Sequence, residues 1–186
     1  TLMRWAAGIL GKAGKKITQR DMELLLTKTG TDMGNLRMEM EKLISYTEGR
    51  DVVTAEDIED ICTTQTTNRI FDMVRAVTEK NQKRALELYY DLLTLKEPPM
   101  RILFLLAKQY RQLLLAKQFA AAGLAQTEIA SKLGVPGFVV RNITTCARAY
   151  TISELEQAVK DFVDAEESVK TGRLEDKLSV ELLIIK

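Results

Sequence analysis

Three stretches of this sequence carry residue types that could do chemistry. Gly8, Gly11 and Lys12 lie close together, as in loops whose glycines let backbone N–H groups approach phosphate while a lysine reaches its oxygens. The spacing is wrong for such a loop, Ala13 stands where a magnesium-holding Ser or Thr belongs, and no strand pattern precedes it. The stretch reads as a helix end with solvated lysines. Glu154, Glu156, Asp161, Asp164, Glu166 and Glu167 make a second group. Paired carboxylates perform acid–base work when their surroundings drive their pKa values apart, but these follow helical spacing without cleft glycines or a metal-ligand pattern. They read as a solvated acidic face. The third stretch, Lys170-Thr171-Gly172-Arg173, is a basic turn between two helices. Its cations can meet phosphate from a loop tip, or sit beside helix-end carbonyls, which favour positive charge.

The rest of the composition narrows the chemistry further. The 186 residues contain no histidine, which removes the commonest general base, the usual triads and most zinc sites. No catalytic residue, cofactor or metal is expected. Cys62 and Cys146 stand among apolar or small residues, as reduced core filler in a cytoplasmic protein. Lys and Arg (27) nearly balance Asp and Glu (26), leaving a formal charge of +1. A domain that grips the DNA backbone carries a clear basic excess, so any nucleic-acid contact must be local. The longest apolar run, residues 102–107, falls far short of the ~20 residues that span a bilayer.

The elements that position these residues all have helical period, so the fold class is all-α. Residues 1–62 read as a small three- or four-helix bundle. Its stripes are Trp5 and Ile9; Met22, Leu25 and Leu26; Leu36, Met40, Leu43 and Ile44; Ile58 and Ile61. Thr54 to Asp57 forms a capping-box variant. Residues 63–67, polar and β-branched, read as a linker. Residues 68–186 form a second helical domain, with Asn68 as a helix cap. Ile70, Phe71, Val74 and Val77, then Ala85, Leu88, Tyr89 and Leu92, mark its first two stripes. Pro98 and Pro99 open a long helix, apolar nearly all round between Ile102 and Leu106; a helix of that kind is surrounded by others. Leu155, Val159, Phe162 and Val163 are expected to face inward, and Leu174, Leu178, Leu182 and Ile185 to seat a last helix on the bundle.

Residues 126–149 have the outline of a helix-turn-helix, which makes a DNA-binding regulator the alternative function. A recognition helix must offer polar side chains to base edges. This one offers Phe138, Val139, Val140, Ile143, Cys146 and Ala147, with Arg141, Asn142, Arg148 and some threonines for polar reach. Its composition suits packing. Lys108, Arg111 and Lys117 lie near one helical face, as a solvated side or as a contact for phosphate or acidic protein.

An ordered set of these segments resembles one family. Ile17, Met22, Leu25, Leu26, Gly30, Asp32, Leu36, Glu39, Glu41, Lys42, Leu43 and Val53 to Ile58 come first. Asn68, Phe71 and Asp72 follow, then Ala85, Leu88, Leu92 and Leu93, then Glu97-Pro98-Pro99-Met100 with Ile102, Leu103, Phe104 and Leu106. Gln109, Arg111, Leu113, Leu114, Lys117, Gly123, Glu128-Ile129-Ala130, Leu133-Gly134-Val135, Lys170 and Gly172 complete it. In this order the segments resemble delta subunits of bacterial DNA polymerase III clamp loaders.

The resemblance implies that residues 1–62 form an AAA+ lid-like domain and residues 68–186 a collar domain joining a ring of five subunits. Residues 63–67 would be a flexible joint. The implied partners are gamma/tau-type and delta-prime-type subunits, met through the collar. Contact with the sliding clamp would need an N-terminal domain, which this chain, opening on Thr1 within a helical pattern, is expected to lack. The resemblance also implies no ATP hydrolysis. Relatives that hydrolyse ATP often place a nucleotide-sensing arginine just after an acidic lid residue, whereas here Asp32 precedes Met33-Gly34-Asn35 and Arg37 comes later. If primer–template DNA is touched, Lys170 and Arg173 are the expected phosphate contacts, with Phe138 as an exposed aromatic.

Overall fold

The computed structural model describes residues 2–64 and 66–186, and among them it is all-α apart from one pair of two-residue strands. The chain divides into two compact units, residues 1–68 and 69–186.

In the first unit, α1 (Leu2–Lys12), α2 (Gln19–Thr29), α3 (Met33–Tyr46) and α4 (Ala55–Ile61) form the bundle. Each of the last three starts on an oxygen-bearing cap, which satisfies N–H groups the helix cannot: Thr18, Asp32 and Thr54 accept from the backbones of Asp21, Asn35 and Asp57. The core holds Ala6, Leu10, Met22, Leu25, Leu26, Leu36, Met40, Leu43 and Ile58. On α1 the buried residues are thus Ala6 and Leu10, one place beyond the expected Trp5 and Ile9. Gly8, Gly11 and Lys12 lie within that helix, so no phosphate loop forms. Lys15 is not a solvated lysine; its Nζ donates to Thr47 O and Arg50 O, both at 2.6 Å, closing the end of α3.

The strands, β1 (Lys16–Ile17) and β2 (Val52–Val53), pair in parallel with Lys16 opposite Val52 and Ile17 opposite Val53. Two residues cannot show the alternation by which a strand is recognised in sequence, which is why the pair was not expected.

Lysines from two helices close the end of α4. Lys28 Nζ donates to Glu59 O at 2.6 Å, and Lys42 Nζ reaches Ile61 O at 3.3 Å, where the helix dipole favours cations. The nearly buried Glu39 carboxylate holds Lys42 at 2.6 Å and accepts from Thr63 N at 3.1 Å. The next helix, α5 (Thr66–Thr78), begins inside the stretch expected as linker. Asn68 is not its cap: it lies in the first turn, and its side-chain amide donates to Lys28 O at 2.8 Å. Of the expected linker, Gln65 lies outside the described residues.

The second unit comprises most of α5, then α6 (Gln82–Thr94), α7 (Pro99–Ala121), α8 (Gln126–Leu133), α9 (Gly137–Ala147), α10 (Ile152–Lys170) and α11 (Asp176–Ile185). Helix α7 packs against α8, α9, α10 and α11 and buries Ile102, Leu103, Leu106, Tyr110, Leu113 and Ala116. It is not enclosed all round, since Phe104 is 66% exposed. Tyr110 meets the Phe162 ring at 5.1 Å and shares a hydrogen bond of 3.1 Å with Tyr150 OH. Burial raises the Tyr110 phenol above its ordinary pKa, so this network stays neutral. Val163, expected inward, is exposed.

Candidate functional site

Helix α11 follows a tight turn. The chain leaves α10 through Thr171 and Gly172, whose φ of +73° is left-handed backbone that suits glycine. Polar contacts then fix the rotation of α11. Tyr89 OH donates to Lys177 O at 3.2 Å and Gln82 Nε2 to Ile185 O at 2.8 Å, both from α6. Tyr90 OH donates to Glu181 Oε1 at 3.0 Å, and that bond to a carboxylate raises the phenol pKa. At the far end Lys186 Nζ pairs with Asp161 Oδ2 of α10 at 2.5 Å. Burial alone would raise the Asp161 pKa, but the Lys186 ammonium and the Gln157 amide more than offset it, and the group is held low.

This rotation buries Ser179, Val180 and Ile184. It turns Leu178, Leu182 and Ile185 outward, 42%, 46% and 45% exposed. The stripe expected to seat the helix therefore faces solvent. These positions are four and three residues apart, so they form one apolar ridge. Isolated exposed leucines are ordinary, but a contiguous apolar row on a helix held by side-chain contacts is a candidate surface for another protein.

The candidates of the basic turn are otherwise arranged. Lys170 Nζ pairs with Glu166 at 2.5 Å and Arg173 with Glu167 at 2.8 Å, and Arg173 Nε donates to Thr171 Oγ1 at 2.9 Å. Both cations are thus countered within their own turn. Phe138 is no exposed aromatic: at 8% exposure it is buried. Its helix α9 turns Phe138, Val140, Ile143, Cys146 and Ala147 inward. The hydroxyls of Thr144 and Thr145 donate to carbonyls of α9 itself, Val140 O and Arg141 O, so they are committed to the backbone and not to base edges. The α8–α9 pair is a packing element, with Gly134 left-handed at the end of α8 (φ +65°).

Of the lysines and arginine on α7, Lys117 turns away from the others and donates to Ala147 O at 2.9 Å, closing α9. Lys108 and Arg111 are exposed. Both cysteines are free and buried; burial, with the Glu39 charge adding to it, pushes the Cys62 thiol up to about 12, and burial raises Cys146. Neither forms a thiolate at neutral pH. No helix among the described residues is long and apolar enough to cross a membrane.

Residues 67–186 match the family model for the DNA polymerase III delta subunit, C-terminal domain. The chain is 27% identical over 171 residues to the DNA polymerase III subunit delta of Bacillus subtilis, covering 92% of this chain and 49% of that protein. It is 23% identical over 123 residues to the probable DNA polymerase III subunit delta of Aquifex aeolicus, covering 66% of this chain and 35% of that one. The chain thus spans half the length or less of these curated relatives. The Bacillus subtilis DNA clamp loader delta protein superposes with a TM-score of 0.86 at 25% identity, over 99% of this chain and 54% of that one. With the family model covering well over half the chain, and relatives and fold in agreement, this chain belongs to the DNA polymerase III delta subunit family, whose C-terminal domain its second unit matches.

Proposed function

We propose that this chain is a non-catalytic scaffold part of a clamp-loader delta subunit, serving DNA replication in the cytoplasm by joining a five-subunit loader. The observation that carries the reading is the Leu178, Leu182 and Ile185 ridge, left without a cover on a helix fixed by side-chain contacts. Residues 1–62 act as an AAA+ lid-like body, and residues 68–186 as the collar that meets gamma/tau-type and delta-prime-type subunits. The connection between the two bodies serves as the joint, so that packed helical bodies shift as units. Contact with the sliding clamp belongs to a domain outside this chain. The absence of histidine supports a mechanical role, since the commonest acid–base group is not there.

Co-migration on size exclusion of the full-length subunit with the other loader subunits tests the reading. Replacing Leu178 and Leu182 together with glutamate places two charges where apolar contact is required. Binding should fall by a hundredfold or more, about 3 kcal/mol, while the helical spectrum and melting temperature stay near wild type. Undiminished assembly by the double variant would remove the assigned role.

A further inference from the structure

The exposed side of α7 is not used by the subunit-joining reading, and its charge is out of keeping with the chain. From residue 98 to residue 127 there is no Asp or Glu, while Arg101, Lys108, Arg111 and Lys117 all fall in that interval. The whole molecule carries only +1. Two of the four cations are engaged: Arg101 pairs with Glu97 at 3.3 Å, and Lys117 closes α9. Lys108 and Arg111 make no hydrogen bond or ion pair among the described residues. With Phe104 they stand four and three residues apart, so one stripe about 10 Å long holds an aromatic ring and two uncompensated cations. Phe104, 66% exposed, is the most exposed large hydrophobic side chain among the described residues.

We propose that Phe104, Lys108 and Arg111 form a subsite for a single strand of nucleic acid, the cations taking phosphates and the ring stacking on a base. Cations beside an aromatic platform suit this ligand because charge follows the backbone while stacking tolerates any base. The stripe is less suited to a protein partner. Protein interfaces are depleted in lysine and collect apolar side chains at their centres, as the α11 ridge does, whereas no other large apolar side chain of α7 is exposed. The inference rests on the proposed function only in taking the chain to work in replication.

The experiment is a fluorescence-anisotropy titration of a labelled oligothymidine strand at several salt concentrations. It uses the loader assembled with the full-length subunit, and in parallel that subunit alone. Phe104→Ala should weaken binding by roughly tenfold, the scale of one base–aromatic stack. Lys108→Ala with Arg111→Ala should make the plot of log K against log salt shallower by about 1.4, for two phosphates of a single strand. Co-migration of the subunits should be unchanged by either. Affinity and slope equal to wild type would overturn the subsite. So would lost co-migration with intact strand binding, which makes the stripe a protein contact. Failure of the joining role is read separately, from the Leu178 and Leu182 variant, and the titration of the subunit alone keeps the subsite testable in that event.

Discussion

Asp57 has two partners at once: its carboxylate accepts from Thr54 N at 2.9 Å and from the Arg50 guanidinium at 2.8 Å. Burial alone would raise its pKa, but these bonds and the Thr54 hydroxyl outweigh that, and the group is held below the usual carboxylate range. The native state therefore binds the proton less well than the unfolded chain, whose Asp titrates near about 3.9. The stabilisation is complete above that value and is lost as pH falls through the lowered native pKa. Thermal melts of Asp57→Asn between neutral and strongly acid pH should show a shallower acid limb than wild type; superimposable limbs would refute the linkage. Thr54→Ala should cost about 1 kcal/mol, the usual value of such a cap. Lys170 and Arg173 call for a different test, because Glu166 and Glu167 already hold them. If the turn meets primer–template DNA, replacing both by glutamate lowers loader affinity and flattens its salt dependence. An unchanged salt slope rejects that role and leaves the pairs as exposed ion bridges of little energetic weight.

At the scale of elements, the clearest case is the connection after α4. Glu39 on α3 holds both Lys42 and the Thr63 amide, so the chain leaving α4 is tied back to α3. Glu39→Ala should destabilise that unit by on the order of 1–2 kcal/mol, discounted because Lys42 remains half in water. Hydrogen exchange of the Thr63 amide should accelerate tenfold or more, and exchange as slow as wild type would show that the bond does not hold the segment. The start of α4 was legible beforehand because capping chemistry is local: Thr54 and Asp57 form a complete capping box. Helix faces were legible where apolar residues occupy one stripe, as in α6, where Ala85, Leu88, Tyr89 and Leu92 are all buried. They were not where apolar residues surround the helix. Leu178, Val180, Leu182, Ile184 and Ile185 give α11 several equivalent faces, and Tyr89, Gln82 and Asp161 from other helices select one.

For the whole molecule, near-neutral charge governs how it meets DNA. A chain of +1 has little general affinity for a polyanion, and contact must come from a local site. At physiological salt we expect selection from a randomised duplex pool to enrich no sequence. Enrichment of one sequence by tenfold or more, abolished by Arg148→Ala, would restore the regulator reading of residues 126–149. The buried side of α9 argues the same way, since its largest side chains are committed to packing.

The sequence by itself determined the all-α class, the helix starts at Thr54 and at Pro98 and Pro99, the family resemblance and the lack of any histidine chemistry. These depend on periodicity, local capping and residue order, all of which act within a few turns of chain or along it. Only the tertiary structure decided that Phe138 is covered while Phe104 is exposed, and that Lys117 closes a helix while Lys108 and Arg111 stay uncompensated. It also decided that the Leu178, Leu182 and Ile185 ridge points outward. The physical reason is common to all three. Exposure and pairing depend on which neighbour arrives from a distant part of the chain, and an apolar or charged residue on a helix is equally at home on several faces until that neighbour is in place.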